Sequence, residues 1–581
     1  MKSPLTDNAR LLLESRYLKR NPGGKPIEQP EDMFLRVARN VASAENHWPG
    51  GRPAADVERE FFEAMASLEF LPNSPALMNA GRDLQQLAAC FVLGVEDSIE
   101  SIFETLKDAA RIHQSGGGTG FSFSRLRPRG DYVATSGGEA SGPLSFIRIY
   151  DAATEAINQG GFRRGANMAI LRVDHPDVEE FIRAKQREGE LVNFNISVAV
   201  TDAFMDALAR GAECALINPH TGHVARRVPA AAIFDLIVQN AWRNGEPGVV
   251  FIDRINRHNP TPEVGTIEAT NPCGEAPLLP FESCVLGSIN LARVLAGEPP
   301  ACSVDWDRLR RLSHLGVRFL DDVISVTRFP LPQVEQITTA NRKIGLGVMG
   351  FADMLIRRGI AYDSPQAIAA AREVMAFVSH EADAASEQLA AERGPFPNFR
   401  RSIYASRPRP LRNAVRTTIA PTGSISIIAG CTGGIEPLFA VAFRRHVLGD
   451  RLAPEVHPDF LTLCAREKFT PSDALMEKVI ETGRARPLAQ FPDAVRRLFV
   501  TSGEISPEQH LRVQAAFQEH TDNAVSKTLN LPRESTPEDV RKVFLRAWEL
   551  GCKGVTVYRD TSRLSQVLAT ECYRGGEACK V

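Results

Sequence analysis

Several things are scarce in this chain. An excess of charge of either sign is absent: 68 Lys+Arg stand against 70 Asp+Glu, which excludes a protein that holds nucleic acid through bulk positive charge and excludes an acidic tail. No run of ~18 apolar residues occurs, and residues 1–16 mix charges with leucines, so neither a membrane span nor a secretory leader is expected and the cytoplasm is the default location. Ten scattered cysteines in 581 residues are too few for a secreted disulfide framework. The run Gly116-Gly117-Gly118-Thr119-Gly120 lacks the spacing of a dinucleotide or P-loop fingerprint, which removes the dehydrogenase and kinase readings. No short internal repeat is visible. What remains is ordinary: 43% hydrophobic residues, 24% charged and a mean hydropathy of -0.17 describe a soluble globular protein with a large core.

Residues 31–45 and 55–68 space apolar side chains at helical intervals around the turn-rich His47-Trp48-Pro49-Gly50-Gly51, so a helical region is expected over 1–70. Strand patterns follow at 120–126, 167–173, 192–200, 248–252 and 285–291, with helices between most of them. Such alternation predicts a mainly parallel α/β fold, barrel or doubly wound, over 71–568. Residues 305–363 and 364–393 are expected to be outer packing helices, and 569–581 a mobile tail carrying Cys572 and Cys579.

The segment Ala269-Thr270-Asn271-Pro272-Cys273-Gly274-Glu275 holds the densest chemistry. Pro272 biases Asn271 toward extended backbone, and in an extended run Asn271, Cys273 and Glu275 would face one cavity. A carboxylate beside a thiol raises its pKa, so the setting suits a neutral thiol doing hydrogen-atom chemistry better than a thiolate nucleophile. On these residues alone, a turn with a buried cysteine fits equally well. Two further cysteines open strand-like runs, in Ala88-Ala89-Cys90-Phe91-Val92-Leu93 and Ser283-Cys284-Val285-Leu286.

Taken together with Leu71-Pro72-Asn73-Ser74-Pro75, these motifs resemble, in order, those of the catalytic subunit of ribonucleotide reductases, most closely the adenosylcobalamin-dependent class II type. The resemblance runs from about residue 70 to 568. It implies a ten-stranded α/β barrel of two parallel five-stranded halves with a central finger loop. It also implies roles: Cys273 as the thiyl-radical cysteine, Glu275 as the base for the 3′-hydroxyl, Asn271 as the amide that positions the sugar, and Cys90 with Cys284 as the reducing pair. Cys572 and Cys579 resemble a mobile dithiol that re-reduces that pair in exchange with thioredoxin or a similar dithiol. Their spacing is not the CxxC of a zinc knuckle, and no metal ligand is expected.

A Ser/Thr-rich turn, Thr417 to Ser426, is by itself more often only a turn. In the family the matching segment binds substrate phosphates, so Pro421, Thr422, Gly423, Ser424 and Ile425 are expected at a ribonucleoside diphosphate, with Ser74, Ala89 and Gly118 as further contacts and the 271–275 segment, Pro272 and Gly274 included, beneath the ribose. Asp97, Arg127, Gln159 and Arg163 match an allosteric site for deoxynucleoside triphosphates at a homodimer interface. Asp97 and Glu100 also have the spacing of a helix N-cap box.

Class I relatives relay a radical from a second subunit through a Tyr-Tyr pair, where this chain has Thr556 and Val557. Neither a glycyl-radical motif nor the Asp-x-His-x-x-Gly cobalamin motif is present. The resemblance therefore implies adenosylcobalamin as the radical source, with no protein ligand to cobalt. Two alternatives stand beside it: a class I-type large subunit needing a radical-generating partner, and a catalytically inactive nucleotide-binding homologue. The complete set Asn271, Cys273, Glu275, Cys90 and Cys284 speaks against the second.

Overall fold

The protein is described by a computed structural model covering residues 3–134, 137–158, 165–447, 451–560 and 562. Its first long helices bury one stripe each. In Pro30–Ala42, Met33, Phe34, Val37 and Val41 face inward, and in Ala54–Ala66, Val57, Phe61, Ala64 and Met65 do. Such a stripe must be covered by another element, and the two helices cover each other and lie against Trp306–Val326.

The sheet among the described residues has ten strands: β1 (Phe70–Pro72), β2 (Cys90–Leu93), β3 (Gly118–Ser122), β4 (Asn167–Arg172), β5 (Phe194–Val200), β6 (Gly248–Phe251), β7 (Glu282–Asn290), β8 (Ile344–Met349), β9 (Thr528–Leu531) and β10 (Gly554–Arg559). From β2 to β6 neighbours run parallel in chain order. Likewise β7 pairs parallel with β8 and β9 with β10. Between β8 and β9, Thr417 bridges Leu346 and Ile419 bridges Val525, both parallel, so residues 417–419 fill the gap. The two parallel halves meet antiparallel at both seams, β2 on β7 and β6 on β10. Ten wall segments thus close into a barrel, and β1 continues the β2 side of β7, pairing antiparallel with residues 287–289. No helix among the described residues is long and apolar enough to cross a membrane.

The stretch 305–363, expected to be helical, is corrected here. Helices Trp306–Val326 and Pro332–Asn341 lead into β8, a barrel strand. All six residues of β8 are buried, so neither helical nor alternating periodicity marks it. Its glycines are needed for the closure. A Cβ on Gly347 would lie 2.3 Å from the carbonyl oxygen of Thr418, and one on Gly345 would lie 2.4 Å from Leu286 Cδ2.

A buried ionic cluster ties the N-terminal helices to the barrel's outer layer. Arg393 donates to Glu45 (2.6 Å), Asp321 (2.9 Å) and Asp322 (2.6 Å), Arg342 donates to Asp321 (2.7 Å), and Arg412 stacks on Trp48 with 4.6 Å to the ring centroid. The three arginines hold the Asp321 carboxyl below its usual range against the opposing effect of burial.

Candidate active site

The finger is a hairpin. Ala269 pairs with Leu278 and Thr270 with Pro277. At its tip the Asn271 N–H donates to the Ala276 carbonyl (3.1 Å) and the Gly274 N–H to the Asn271 carbonyl (3.1 Å), with Gly274 at φ +82°. The expected extended run through 271–275 is therefore wrong: the chain folds back, and the positive φ at Gly274 permits it. Asn271 and Glu275 end the two arms, both buried, while Cys273 stands exposed at the tip. The convergence of these side chains comes from the turn, not from alternation.

Both barrel halves grip the finger. Asn195 on β5 donates its amide to the Pro272 carbonyl (2.9 Å), and the Ala524 N–H, just before β9, donates to the Glu275 carbonyl (3.0 Å). On β3 a Cβ at Gly120 would stand 1.8 Å from the carbonyl oxygen of Thr270, and one at Gly118 would stand 3.1 Å from Pro272 Cγ. The glycine run that matches no nucleotide fingerprint is thus the bed of the finger. Sequence reasoning missed Asn195 and Gly120; the alternate glycines at 118 and 120, at the start of a strand pattern, were the available signal for a close backbone approach.

The β2–β7 seam sets Cys90 directly opposite Cys284. Facing residues of an antiparallel pair have Cα atoms about 4.5–5.5 Å apart, within the reach of a disulfide. Both are free thiols, and Asn271 donates its amide to Cys90 Sγ at 3.1 Å. The Asn271 amide oxygen accepts from the Ala276 N–H at 3.0 Å, which fixes the orientation of that amide. Burial, and then the Glu275 charge, push the Cys90 thiol well above its ordinary pKa. Cys284 is raised by burial, Glu275 and Glu282, with Lys343 opposing. Lys343 (2.6 Å) and Asn341 (2.7 Å) in turn hold the buried Glu282 carboxylate behind Cys284. Both thiols are consequently neutral at pH 7 and able to donate a proton. Brief treatment with iodoacetamide at pH 8 is expected to alkylate Cys273 well before Cys90 or Cys284, as peptide mass spectrometry would show; equal labelling of the three would contradict this electrostatic picture.

The expected substrate contacts lie around these thiols or along the strands that carry them. The Gly118 N–H donates to the Ala89 carbonyl (3.1 Å), and the Ala89 N–H to that of Cys284 (3.2 Å). Ser74 opens helix Ser74–Asn79 directly after β1, and its hydroxyl shares a 2.8 Å hydrogen bond with Tyr17. Residues 421–425 continue from the 417–419 wall segment into helix Gly423–Ala429. There Thr422, rather than the neighbouring Gly423, takes the left-handed conformation, at φ 54°. Its hydroxyl accepts from the Gly434 N–H at 2.7 Å, which holds it there.

Asp97 is not the helix cap its spacing suggested. Ser98 caps helix Ile99–Gln114 by accepting from the Ser101 N–H. Asp97 instead accepts from Arg127 Nε (2.8 Å) and the Arg127 N–H (3.1 Å), so the two expected effector residues are already paired. Gln159, Arg163, Cys572 and Cys579 lie outside the described residues. Asp353, His457 and Asp459 gather elsewhere, but are taken up by protein partners: His457 Nε2 meets Asp353 at 3.1 Å, Thr432 Oγ1 donates to Asp353 at 2.6 Å, and Arg357 donates to Asp459 at 2.8 Å.

A closed barrel with a cysteine-tipped finger in its interior and a facing pair of neutral thiols beside it is the architecture of an enzyme suited to thiol chemistry. Comparison with known proteins narrows the class. The ribonucleotide reductase all-alpha domain matches residues 3–85, and the ribonucleotide reductase barrel domain matches 88–408 and 407–558. The chain belongs to the ribonucleotide reductase family. It is 51% identical over 560 residues to the vitamin B12-dependent ribonucleoside-diphosphate reductase of Mycobacterium tuberculosis (strain CDC 1551 / Oshkosh), an alignment covering 96% of this chain and 80% of that one. To the enzyme of the same name from Thermoplasma acidophilum it is 46% identical over 620 residues, covering 97% and 80%. Among solved structures, the Actinobacillus ureae class Id ribonucleotide reductase alpha subunit shares the fold, with a TM-score of 0.78 at 23% identity over 96% of this chain and 97% of that one.

Proposed function

We propose that this chain reduces ribonucleoside diphosphates to 2′-deoxyribonucleoside diphosphates by a thiyl-radical mechanism that depends on adenosylcobalamin. The observation that carries the reading is the Asn271 bridge, which ties the Cys273 finger to the Cys90–Cys284 pair. The names of the relatives support the cofactor and the diphosphate substrate. The barrel interior fits the cofactor: Asn195, which holds the finger, and Thr556, where a relay tyrosine would stand, stay exposed among buried neighbours. Bound adenosylcobalamin supplies the one-electron chemistry that starts the reaction.

The chain's own residues do the rest. Cys273, as a thiyl, takes the 3′ hydrogen of the ribose and returns it at the end of the turnover. Glu275, buried on the arm next to it, accepts the 3′-hydroxyl proton, and Asn271 orients the sugar hydroxyls. Cys90, neutral and buried, protonates the 2′-hydroxyl, which leaves as water. Two electrons come from Cys90 and Cys284, which end as a disulfide, so one substrate and two thiols give one deoxynucleotide, one disulfide and one water. Ser74, Ala89, Gly118 and 421–425 hold the substrate. Cys572 and Cys579 pass reducing equivalents from a thioredoxin-type dithiol to the spent pair. A cytoplasmic location goes with this role in supplying DNA precursors. Turnover assayed with and without adenosylcobalamin tests the reading.

The effector site completes the proposal. Helix Ile99–Gln114 leaves Ile99 (58%) and Phe103 (46%) exposed, and the helix packed on it, Pro143–Asn158, leaves Ile149 (40%) exposed. This unpartnered apolar face directly follows Asp97 and suits a second copy of the chain, with deoxynucleoside triphosphates bound at Asp97, Arg127, Gln159 and Arg163 near the contact. Phe103→Asp is expected to give a monomer in sedimentation velocity and to abolish effector-dependent choice among ribonucleotides. A wild-type chain that is monomeric, or whose substrate preference ignores effectors, would contradict this part.

A further inference from the structure

We propose that Lys553 is a positioning residue for the proton-accepting arm of the site, holding Glu275 in place through the peptide between Asn523 and Ala524. The inference rests on the role given to Glu275 above. Lys553 stands just before β10 and is buried. Its ammonium donates to the carbonyls of Asp522 (2.6 Å) and Asn523 (2.7 Å), which are its hydrogen-bond partners among the described residues. A buried charge is more often paired with an opposite one, as Lys343 is with the Glu282 carboxylate at 2.6 Å. An ammonium spent on two successive carbonyls serves the backbone that carries them.

One peptide unit joins this charge to the finger. Its carbonyl, that of Asn523, accepts from Lys553 and from the Gln518 amide (2.9 Å), while its N–H, that of Ala524, donates to the Glu275 carbonyl (3.0 Å). A cation at the carbonyl end of a peptide polarises it and strengthens the hydrogen bond made by its N–H. The unit is also fixed at its flanks: the Asn523 N–H donates to the Thr417 carbonyl (3.1 Å) and the Ile419 N–H to the Ala524 carbonyl (3.3 Å). Lys553 therefore acts on the return arm of the finger from the 417–419 wall. The outgoing arm has a separate anchor, the Asn195 amide on the Pro272 carbonyl.

The arrangement makes the hold on Glu275 depend on pH. Burial lowers the Lys553 pKa to about 8, with the Asp522 carboxylate opposing and the Lys343 charge adding to the fall. The other charged groups packed about it are His258 and Arg254, the latter on the Cys552 carbonyl at 2.7 Å, and Asp522 is itself paired with Arg416 at 3.1 Å. Below about pH 8 the bonds from Lys553 are charge-assisted, about twice as strong as neutral ones. Above it the side chain is an amine, the peptide loses its polarisation and Glu275 is held less firmly. Proton transfer needs that carboxylate within hydrogen-bond reach of the 3′-hydroxyl, so the loosening shows in the rate of turnover and not in substrate affinity.

The test is the single-turnover rate of ribonucleoside diphosphate reduction by the full chain, pre-reduced and supplied with adenosylcobalamin, from about pH 6.5 to 9.5. Pre-reduction keeps an external thiol from titrating in the assay. Lys553→Met removes the charge and the donors at nearly constant length, and Lys553→Arg keeps a charge that does not titrate in this range. The wild type is expected to lose at least about threefold in rate around pH 8. Lys553→Met should run about tenfold or more below it at pH 7 with no alkaline limb, and Lys553→Arg should run faster than Lys553→Met, also without the limb. The half-saturating diphosphate concentration should change less than about twofold in both. A lysine that only supports the fold would lower the melting temperature of Lys553→Met and leave the shape of its profile as in the wild type. An alkaline limb that persists in the variants therefore overturns the inference, and so does a wild-type rate that stays flat across the range. Either variant decides the matter if the other fails to fold. Glu275→Gln, run alongside, separates the two readings: a wild-type rate there overturns the role of Glu275 and this inference with it, whereas a slow Glu275→Gln beside Lys553 variants of wild-type profile overturns the positioning role alone.

Discussion

Cys273→Ser is expected to abolish ribonucleotide reduction, with a loss of at least about 10⁴-fold, while nucleotide binding and the melting temperature stay at wild-type values. The substitution exchanges one sulfur for one oxygen. A serine O–H bond is too strong for its radical to form and be re-formed under these conditions, so a residue needed only for its S–H bond cannot be replaced by its nearest isostere. The fold has no stake in the exchange, because Cys273 is exposed and the tip is held by the backbone bonds of Asn271 and Gly274. Activity of the variant above about 1% of wild type would assign the radical to another side chain.

Gly120→Ala should damage the enzyme by a different route. The added methyl group would stand 1.8 Å from the Thr270 carbonyl oxygen, a backbone atom, and no rotamer change can relieve that. Either β3 or the finger must move, and displacement of the finger by even about 1 Å costs on the order of 100-fold in rate. The expected result is a stability loss of about 1–3 kcal/mol in chemical denaturation together with a fall in kcat of about 100-fold or more. Gly130→Ala is the control: nothing lies within 4 Å of its would-be Cβ and it sits in an exposed turn, although its φ of +79° still carries some strain. Wild-type activity in Gly120→Ala would mean that the finger is not seated against β3 as described.

The candidate site residues were easier to read from the sequence than the scaffold that brings them together. Asn271, Cys273 and Glu275 announce themselves because a thiol between an amide and a carboxylate is chemically odd. Cys90 and Cys284 stand out because each opens a strand-like run. Their mutual placement was a different matter. It depends on a β2–β7 pairing that no local pattern encodes and on a turn that the bias of Pro272 obscured, since extended backbone at one residue says nothing about a positive φ three positions later. One barrel strand was hidden for a clear physical reason. Strand β8 is buried on both faces and carries Gly345 and Gly347 where side chains would collide with the neighbouring segment, so it shows neither alternation nor strong β propensity. Asp97 was given a capping role by spacing alone. Ser98, one residue on, has the backbone geometry for that job, and Asp97 is left to pair with Arg127.

The electrostatics fit a division of labour among the cysteines. The two facing thiols are kept neutral by burial and by Glu275, which suits proton donation and disfavours stray thiolate reactions between turnovers. Cys273 is exposed at the finger tip, and Asn195 holds the carbonyl of the residue before it. In this account the barrel serves mainly to keep three cysteines within reach of one ribose and away from everything else.

The most direct measurement is ribonucleoside diphosphate reduction by the purified chain alone, with dithiothreitol as reductant, in the presence and absence of adenosylcobalamin. The account predicts deoxynucleoside diphosphate formation with the cofactor and none without it. Turnover only after a second, radical-generating protein is added, or equal turnover with and without adenosylcobalamin, would contradict it.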